Sequence, residues 1–399
     1  MNVLFLSISA LPHMSSHSIS LDLLREFRRN GHNVYAVGAI ERGSDGVTMV
    51  SEEEGCKVLR VKIGKNKKAN LIEKGITTVF LPLIYKNAVK KYFSGVKFDL
   101  ILYPTPPVTH VGTVSYIKKR DNAKAYLLLK DIFPQNAVDL GMMSKRSPAY
   151  KYFRHQEKLL YNTSDYIGCM SQANVDFVLR HNPYVNPKKV HICPNAIEVL
   201  EKEKNPEKKA QIRTRYNIPQ DARVFVYGGN IGKPQGIPFI IECLRENSNK
   251  ADRFFVICGK GTEYKKLENY VNNEKPSNVL LMQSLPKEEY EELVTSCDVG
   301  LIFLDKRFTI PNFPSRLLSY MQNGMPVVSC TDKNSDVGKV IEENGFGWGC
   351  TSDSVESFTR VTDKACVTEL DEMGDKALAV LKRDYTSERC YRIIMENVK

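Results

Sequence analysis

The residues best suited to chemistry sit in loops rich in groups that hold anions or move protons. One is 308–338, FTIPNFPSRLLSYMQNGMPVVSCTDKNSDVG. It reads as loop, helix, turn, strand and loop. Pro314 and Ser315 stand at a helix start, where serine caps free backbone N–H groups and proline fits the first turn. Leu317, Leu318 and Met321 give the helix an apolar face, and Asn323-Gly324 ends it. The orphan N–H groups and dipole of such a helix suit an anion. Arg316 in its first turn adds a forked donor for phosphate oxygens. An ordinary buried αβ unit is the alternative for this stretch taken alone. A Gly-rich turn, NIGKPQG, occupies 230–236. At 130–136, KDIFPQN runs straight out of an apolar strand. That pattern delivers Lys130 and Asp131 to a cleft, or makes Asp131 a cap on the following turn. The stretch 9–17, SALPHMSSH, carries His13 and His17, which could contact phosphate or sugar. It lacks GxGxxG, so no dinucleotide fingerprint is present.

These loops need elements to hold them. Strands are expected at 3–8, 33–39, 57–63, 99–104, 125–131 and 164–170, with helices at 18–29, 71–92, 108–120, 148–161 and 171–181, the last capped by Ser171. Residues 189–195 close this half. The polar stretch 198–209, EVLEKEKNPEKK, reads as a linker. The pattern then restarts, with strands at 223–229, 253–259, 278–284 and 298–304 alternating with helices. This is α/β punctuation of two parallel sheets. Ligand-side loops then lie at the carboxyl ends of the strands.

A chain of 399 residues is too long for one ordinary core, so two domains are expected. No apolar run is long enough to span a bilayer, and the N-terminus reads as a strand rather than a signal peptide. The ten cysteines show no metal-ligand spacing and read as buried thiols in a reducing cytosol. Net charge is +11, unevenly spread: +13 in residues 1–195 and −2 in the remainder. Basic clusters at 62–68, 86–91 and 118–120, with Tyr85, Tyr92 and Phe93 nearby, suit an anionic membrane surface. A solvated basic surface is the plain alternative. No nucleic-acid module is recognisable.

Taken in order, the Ser/His loop, KDIFPQN, HICPNAI, YGGNIGKPQG and the 308–338 stretch resemble the retaining GT-B glycosyltransferases of the family-4 group. More narrowly, they resemble the bacterial fucosamine-transferase-like enzymes of O-antigen and capsule assembly. The resemblance implies two facing Rossmann-like doubly wound domains. An N-terminal acceptor-binding domain would take 1–197, and a C-terminal nucleotide-sugar-binding domain 210–385. A last helix, about 386–397, would cross back so that 386–399 rejoins the first. The donor would be a UDP-sugar, an N-acetylated aminosugar, bound by Gly229, Asn230, Lys233, Gln235, Gly236, Ser284, Pro314, Ser315, Arg316 and Ser319. The acceptor, lipid-linked or an oligosaccharide, would meet His13, Ser16, His17 and Gln135. Asp131 with Lys130 would be catalytic.

The chain departs from the broader family pattern. Pro311 and Ser319 stand where that pattern has two glutamates eight positions apart, the later holding the ribose. Asn230 and Gln235 stand where it has Arg and Lys for the diphosphate. Lys233, Arg316 and the backbone N–H groups of 229–236 could supply that charge. Lys130 takes the place of a frequent histidine. There is no Asp-x-Asp motif, so no metal is expected, and no cofactor beyond the substrate. Same-face attack assisted by the leaving diphosphate needs few protein bases, which leaves Asp131 to orient or deprotonate the acceptor hydroxyl. A UDP-sugar epimerase of the same fold and a non-catalytic partner subunit remain as alternatives. A cytoplasmic enzyme, peripheral on the inner face of the membrane, is the expected setting.

Overall fold

Short apolar runs bounded by turn residues become buried parallel strands, and amphipathic runs between them cover the faces. The protein, a computed structural model, is described for residues 1–40, 46–63, 71–200 and 205–398, with only the backbone described for 71–77. The basic segment 64–70, with Lys65, Lys67 and Lys68, lies outside the described residues.

The chain divides into two units, Met1–Glu198 with Tyr385–Lys399, and Val199–Asp384. The first unit holds β1 (Asn2–Ala10), β2 (Asn33–Ala39), β3 (Met49–Glu53), β4 (Cys56–Val61), β5 (Leu100–Pro104), β6 (Lys124–Leu129), β7 (Tyr166–Cys169) and β8 (Val190–Ile192). Its helices are α1 (Ile19–Arg29), α2 (Leu71–Tyr92), α3 (Val111–Asp121), α4 (Gln135–Asp139), α5 (Pro148–Thr163) and α6 (Gln172–His181). The sheet runs β3-β4-β2-β1-β5-β6-β7-β8, parallel except for the β3–β4 pair. The order reverses at β1 and β5, so loops after β1, β5 and β6 surround a switch point. The sequence reading did not anticipate β3, a five-residue antiparallel edge strand.

Local chemistry sets the ends. Ser18 caps α1 by accepting from the Leu21 N–H at 3.2 Å, while Asp22 accepts from the Ser18 N–H at 3.1 Å. Ser171 does stand at the start of α6, but its hydroxyl donates to Asn174 and caps no backbone N–H. Of the aromatic residues expected at a membrane, Tyr85 and Phe93 are core residues and Tyr92 donates to the Thr48 carbonyl. Tyr85 faces inward from α2 and Phe93 follows its last residue, so both rings pack into the core beneath the helix.

The second unit holds β9 (Arg223–Asn230), β10 (Arg253–Lys260), β11 (Val279–Met282), β12 (Val299–Phe303), β13 (Val327–Thr331) and β14 (Gly347–Thr351). Its helices are α7 (Pro206–Arg215), α8 (Ile237–Glu246), α9 (Tyr264–Glu274), α10 (Lys287–Thr295), α11 (Arg316–Gln322), α12 (Val337–Glu343), α13 (Val355–Val367) and α14 (Asp371–Asp384). All six strands are parallel, in the order β11-β10-β9-β12-β13-β14, with the switch between β9 and β12. The charged stretch expected as linker is helical from Pro206 onward: Asn205 caps α7 and Lys209 pairs with Asp298 at 2.6 Å. The chain ends in α15 (Ser387–Val398), which returns to the first unit and packs on α1, with Phe27 and Tyr391 rings edge to face at 4.9 Å.

Candidate functional site

In the second unit the loops after β9 and β12 flank the switch point, and α11 starts there. A Cβ on Gly228 would lie 1.9 Å from the Tyr290 hydroxyl, and one on Gly229 would lie 1.8 Å from a terminal nitrogen of Arg316. Gly229 also has a φ of +127°, which only glycine adopts without strain. The absent side chains thus let Tyr290 and Arg316 lie directly on the strand end. The Arg316 guanidinium stands 4.9 Å from the centre of the Tyr227 ring. Burial opposes its charge, and the phenols of Tyr320, Tyr227 and Tyr290 more than offset that penalty. Among the described residues no carboxylate pairs with Arg316. The Tyr320 hydroxyl is spent on the Val226 and Leu301 carbonyls, whereas the buried Tyr290 hydroxyl makes no well-formed hydrogen bond. A cation with no anion, beside an unspent hydroxyl, is fit to receive phosphate oxygens.

Other expected donor residues divide. Asn230 donates to the Gln235 side-chain oxygen at 2.9 Å, which also accepts from the Gly232 N–H at 3.2 Å, so this pair stitches the loop into shape. The Pro234 carbonyl takes the Asp305 N–H at 2.9 Å, tying the loops after β9 and β12 together. Lys233 and Gly236 line a groove of about 440 Å³ with Glu242, Glu263 and Arg307, and Arg316 is not among the residues lining it. Ser284 is exposed between β11 and α10. Ser315 does not cap α11: its own backbone is already helical, at φ −63° and ψ −18°, and its side chain accepts no bond. The Pro314 and Ser315 carbonyls instead take the Leu317 and Leu318 N–H groups at 3.2 Å, which tightens the first turn. Ser319 is half-buried, and its carbonyl accepts from Asn323 at 2.7 Å.

In the first unit, β6 delivers Lys130 and Asp131 to different surroundings. The Asp131 backbone is held by Thr105, whose hydroxyl donates to its carbonyl at 2.9 Å. Its carboxylate accepts from Asn136 at 2.8 Å, yet burial pushes its pKa up to about 6. Lys130 is pushed down to about 8 by burial and lies near the Cys390 and Cys193 thiols. Lys130 and Asp131 form no ion pair with each other.

The Ser/His loop is pinned from below. Arg25 donates to the Met14 and Ser16 carbonyls at 2.6 and 2.7 Å and bonds His17 Nδ1 at 3.0 Å. Glu53 takes the Met14 N–H at 3.0 Å; burial opposes its charge, but Arg60, Ser51 and this N–H hold it down at about 2. His13 is exposed, with Nδ1 on Ser15 at 2.9 Å. Gln135 donates to Asp139 at 2.7 Å. His17, Asp22 and Glu198 offer ligand atoms within 4.8 Å of one another. Arg25 already pairs with Asp22 and Glu198, so this cluster is neutralised by the protein itself.

Residues 208–373 match the family model for glycosyl transferases group 1. The chain is 25% identical to the probable glycosyltransferase WbjE of Pseudomonas aeruginosa, covering 82% of this chain and 80% of that one. It is 24% identical to the putative colanic acid biosynthesis glycosyl transferase WcaI of Escherichia coli K12, over 62% of this chain and 60% of that one. Its structure resembles Anabaena Alr3699/HepE in complex with UDP and glucose, with a TM-score of 0.72, 14% identity, and 100% and 99% of the two chains covered. The chain has the GT-B fold, and the match to glycosyl transferases group 1 covers most of its second unit.

Within the second unit the structure gathers Gly229 and Arg316 at one strand end, with Asn230 and Gln235 bracing the loop beside them. Tyr227, Tyr290 and Tyr320 complete that setting and escaped the sequence reading. The available signal was glycine inside two apolar strands, Gly228 and Gly229 in β9 and Gly300 in β12, each of which yields its space to Tyr290, Arg316 or the Tyr320 ring.

Proposed function

We propose that the enzyme transfers a sugar from a UDP-sugar, an N-acetylated aminosugar donor, to a lipid-linked or saccharide acceptor in cell-surface polysaccharide biosynthesis, with retention and without a metal. The observation that carries this reading is Arg316, a half-buried cation with no carboxylate partner among the described residues, fitted against Gly229. Breaking the anomeric C–O bond leaves charge on a diphosphate, which fixed donors stabilise. Arg316, the Tyr290 hydroxyl and N–H groups of the 229–236 loop supply such donors. The likeness to the glycosyltransferase WbjE, to the colanic acid biosynthesis protein WcaI and to the UDP-bound HepE supports the reaction class, the setting and the nucleotide.

Asp131 serves the acceptor side. With its pKa near 6 it is mostly ionised at neutral pH and basic enough to accept a hydroxyl proton. His13, Ser16, His17 and Gln135 shape the acceptor side, His17 chiefly by holding the Ser/His loop to Arg25.

A lipid-linked acceptor requires access to a membrane surface. No described helix is long and apolar enough to cross one. On α2, Val79, Phe80 and Leu83 are 43%, 53% and 52% exposed, and Lys86 and Lys90 follow at helical spacing, both stacked on Tyr116. An apolar patch continued by lysines suits an anionic bilayer.

The direct test is a panel of nucleotide sugars scored by thermal shift and then by transfer. A bound donor raises the unfolding temperature by mass action. UDP-sugars should stabilise and GDP-sugars should not; stabilisation by GDP-sugars alone overturns the nucleotide assignment.

A further inference from the structure

Cys193, in the loop after β8, and Cys390, on α15, are 197 positions apart in sequence, yet their sulfurs lie 3.5 Å from each other. Both are buried in the first unit, at 0% and 4% exposure. Tyr126 and Cys193 share the space that Gly168 leaves empty, since a Cβ there would come within 2.6 Å of the Cys193 Cβ and 2.9 Å of the Tyr126 hydroxyl. The Tyr126 hydroxyl also bonds His191 Nε2 at 2.5 Å. Lys130 is close enough to act on the charge of both thiols. Among the described residues, no other sulfur pair stands in hydrogen-bond contact with a lysine beside it.

We propose that Cys193 and Cys390 are a reversible oxidation site for hydrogen peroxide, closing to a disulfide that fastens α15 to the loop after β8. The thiol of Cys193 is made more acidic by the hydrogen bond from Cys390, helped by Tyr126 and by the charge of Lys130, while that of Cys390 is pushed up. Cys193 is therefore the attacking sulfur, because the thiolate is the nucleophile. Its proton passes to the Lys130 amine, and the resulting thiolate attacks one peroxide oxygen as the O–O bond breaks. The departing hydroxide takes a proton from Lys130 and leaves as water, and Cys193 becomes a sulfenic acid. Cys390 sulfur then displaces the sulfenic hydroxyl, its own thiol proton completing a second water. Two thiols are oxidised by two electrons and one peroxide is reduced to two waters. To bond, the sulfurs close from 3.5 Å to about 2 Å.

Any effect on transfer rests on the role proposed above for Asp131, the residue after Lys130, so the test reads the bond itself. The folded, reduced protein is treated with graded hydrogen peroxide, unreacted thiols are alkylated after unfolding, and the peptides are mapped by mass. The expected product joins the Cys193 and Cys390 peptides with loss of two hydrogens and reverts with dithiothreitol. Cys350 and Cys366, the two cysteines that are not buried, are internal controls for simple accessibility. In Cys390→Ser, Cys193 should stop at the sulfenic acid and be trapped by dimedone. Oxidation of Cys350 or Cys366 at doses that leave Cys193 and Cys390 alkylatable overturns the proposal. So does recovery of both buried thiols unmodified at every dose, whatever the sugar-transfer activity.

Discussion

Arg316 is fitted to Gly229: a single methyl group on that glycine would lie 1.8 Å from the guanidinium. Glycine at 229 is therefore a condition for the arginine's position. Gly229→Ala should strain the backbone at φ +127° by about 1–3 kcal/mol and displace Arg316. A lower unfolding temperature and UDP affinity weakened by about tenfold or more are expected, measured by thermal unfolding and calorimetry. Unchanged UDP affinity would detach this strand end from donor binding.

The Tyr290 hydroxyl is buried without a well-formed bond. In Tyr290→Phe, stability should hold or rise slightly, since an unsatisfied polar group is removed. If the hydroxyl serves the diphosphate, UDP affinity should fall by about three- to tenfold, the scale of one hydrogen bond. A destabilised variant with intact affinity would make Tyr290 a packing residue.

Asp131 carries a pKa of about 6 because burial penalises its charge. The folded state therefore holds this proton more tightly than the unfolded state, whose carboxyl titrates near the ordinary 3.8. Its contribution to stability is greatest below that value, is lost as pH rises from there to about 6, and is a cost at neutral pH. Asp131→Asn removes the charge. It should raise the unfolding temperature at pH 7, by roughly 1–2 kcal/mol of stability after allowing for partial solvent access. Turnover should drop by about 10²-fold or more with donor affinity unchanged. The wild-type rate should climb with pH through about 6, and the variant should lose that limb. Full turnover in the variant would make Asp131 structural.

Vesicle flotation separates the two parts of the α2 patch. Charge reversal at Lys86 and Lys90 should abolish binding to anionic vesicles at low salt, because each lysine contributes about 1 kcal/mol at such a surface. Serine at Val79, Phe80 and Leu83 should weaken binding at every salt concentration. A protein that stays in the soluble fraction with anionic vesicles at low salt would refute membrane contact by this face.

Periodic patterns made much of the architecture readable. The strand at 33–39 and the helix at 71–92 were both expected from their residues and are found there. Apolar runs with turn residues at both ends leave little choice of element. β3 escaped because a half-exposed edge strand of five residues carries no apolar run. Ser315 looked like a cap by residue type, yet capping depends on its backbone angles, which residue type does not state. Tyr85 and Phe93 were read as a surface feature because lysines stand close to them in the chain, whereas the side on which each ring packs is settled by the core beneath α2. The Arg316 setting draws Tyr227, Tyr290 and Tyr320 from three separate segments, a convergence that only tertiary packing creates. Likewise Lys130 and Asp131 are adjacent in the chain but have different neighbours, because β6 ends between two environments.

The most direct measurement is the calorimetric affinity of wild type and Arg316→Ala for UDP and for uridine. If Arg316 holds the diphosphate, the variant should lose about 10- to 100-fold in UDP affinity, the scale of charge-assisted hydrogen bonds, and bind uridine as before. Equal losses for UDP and uridine, or no loss for either, would contradict the assignment of Arg316 to the donor phosphates.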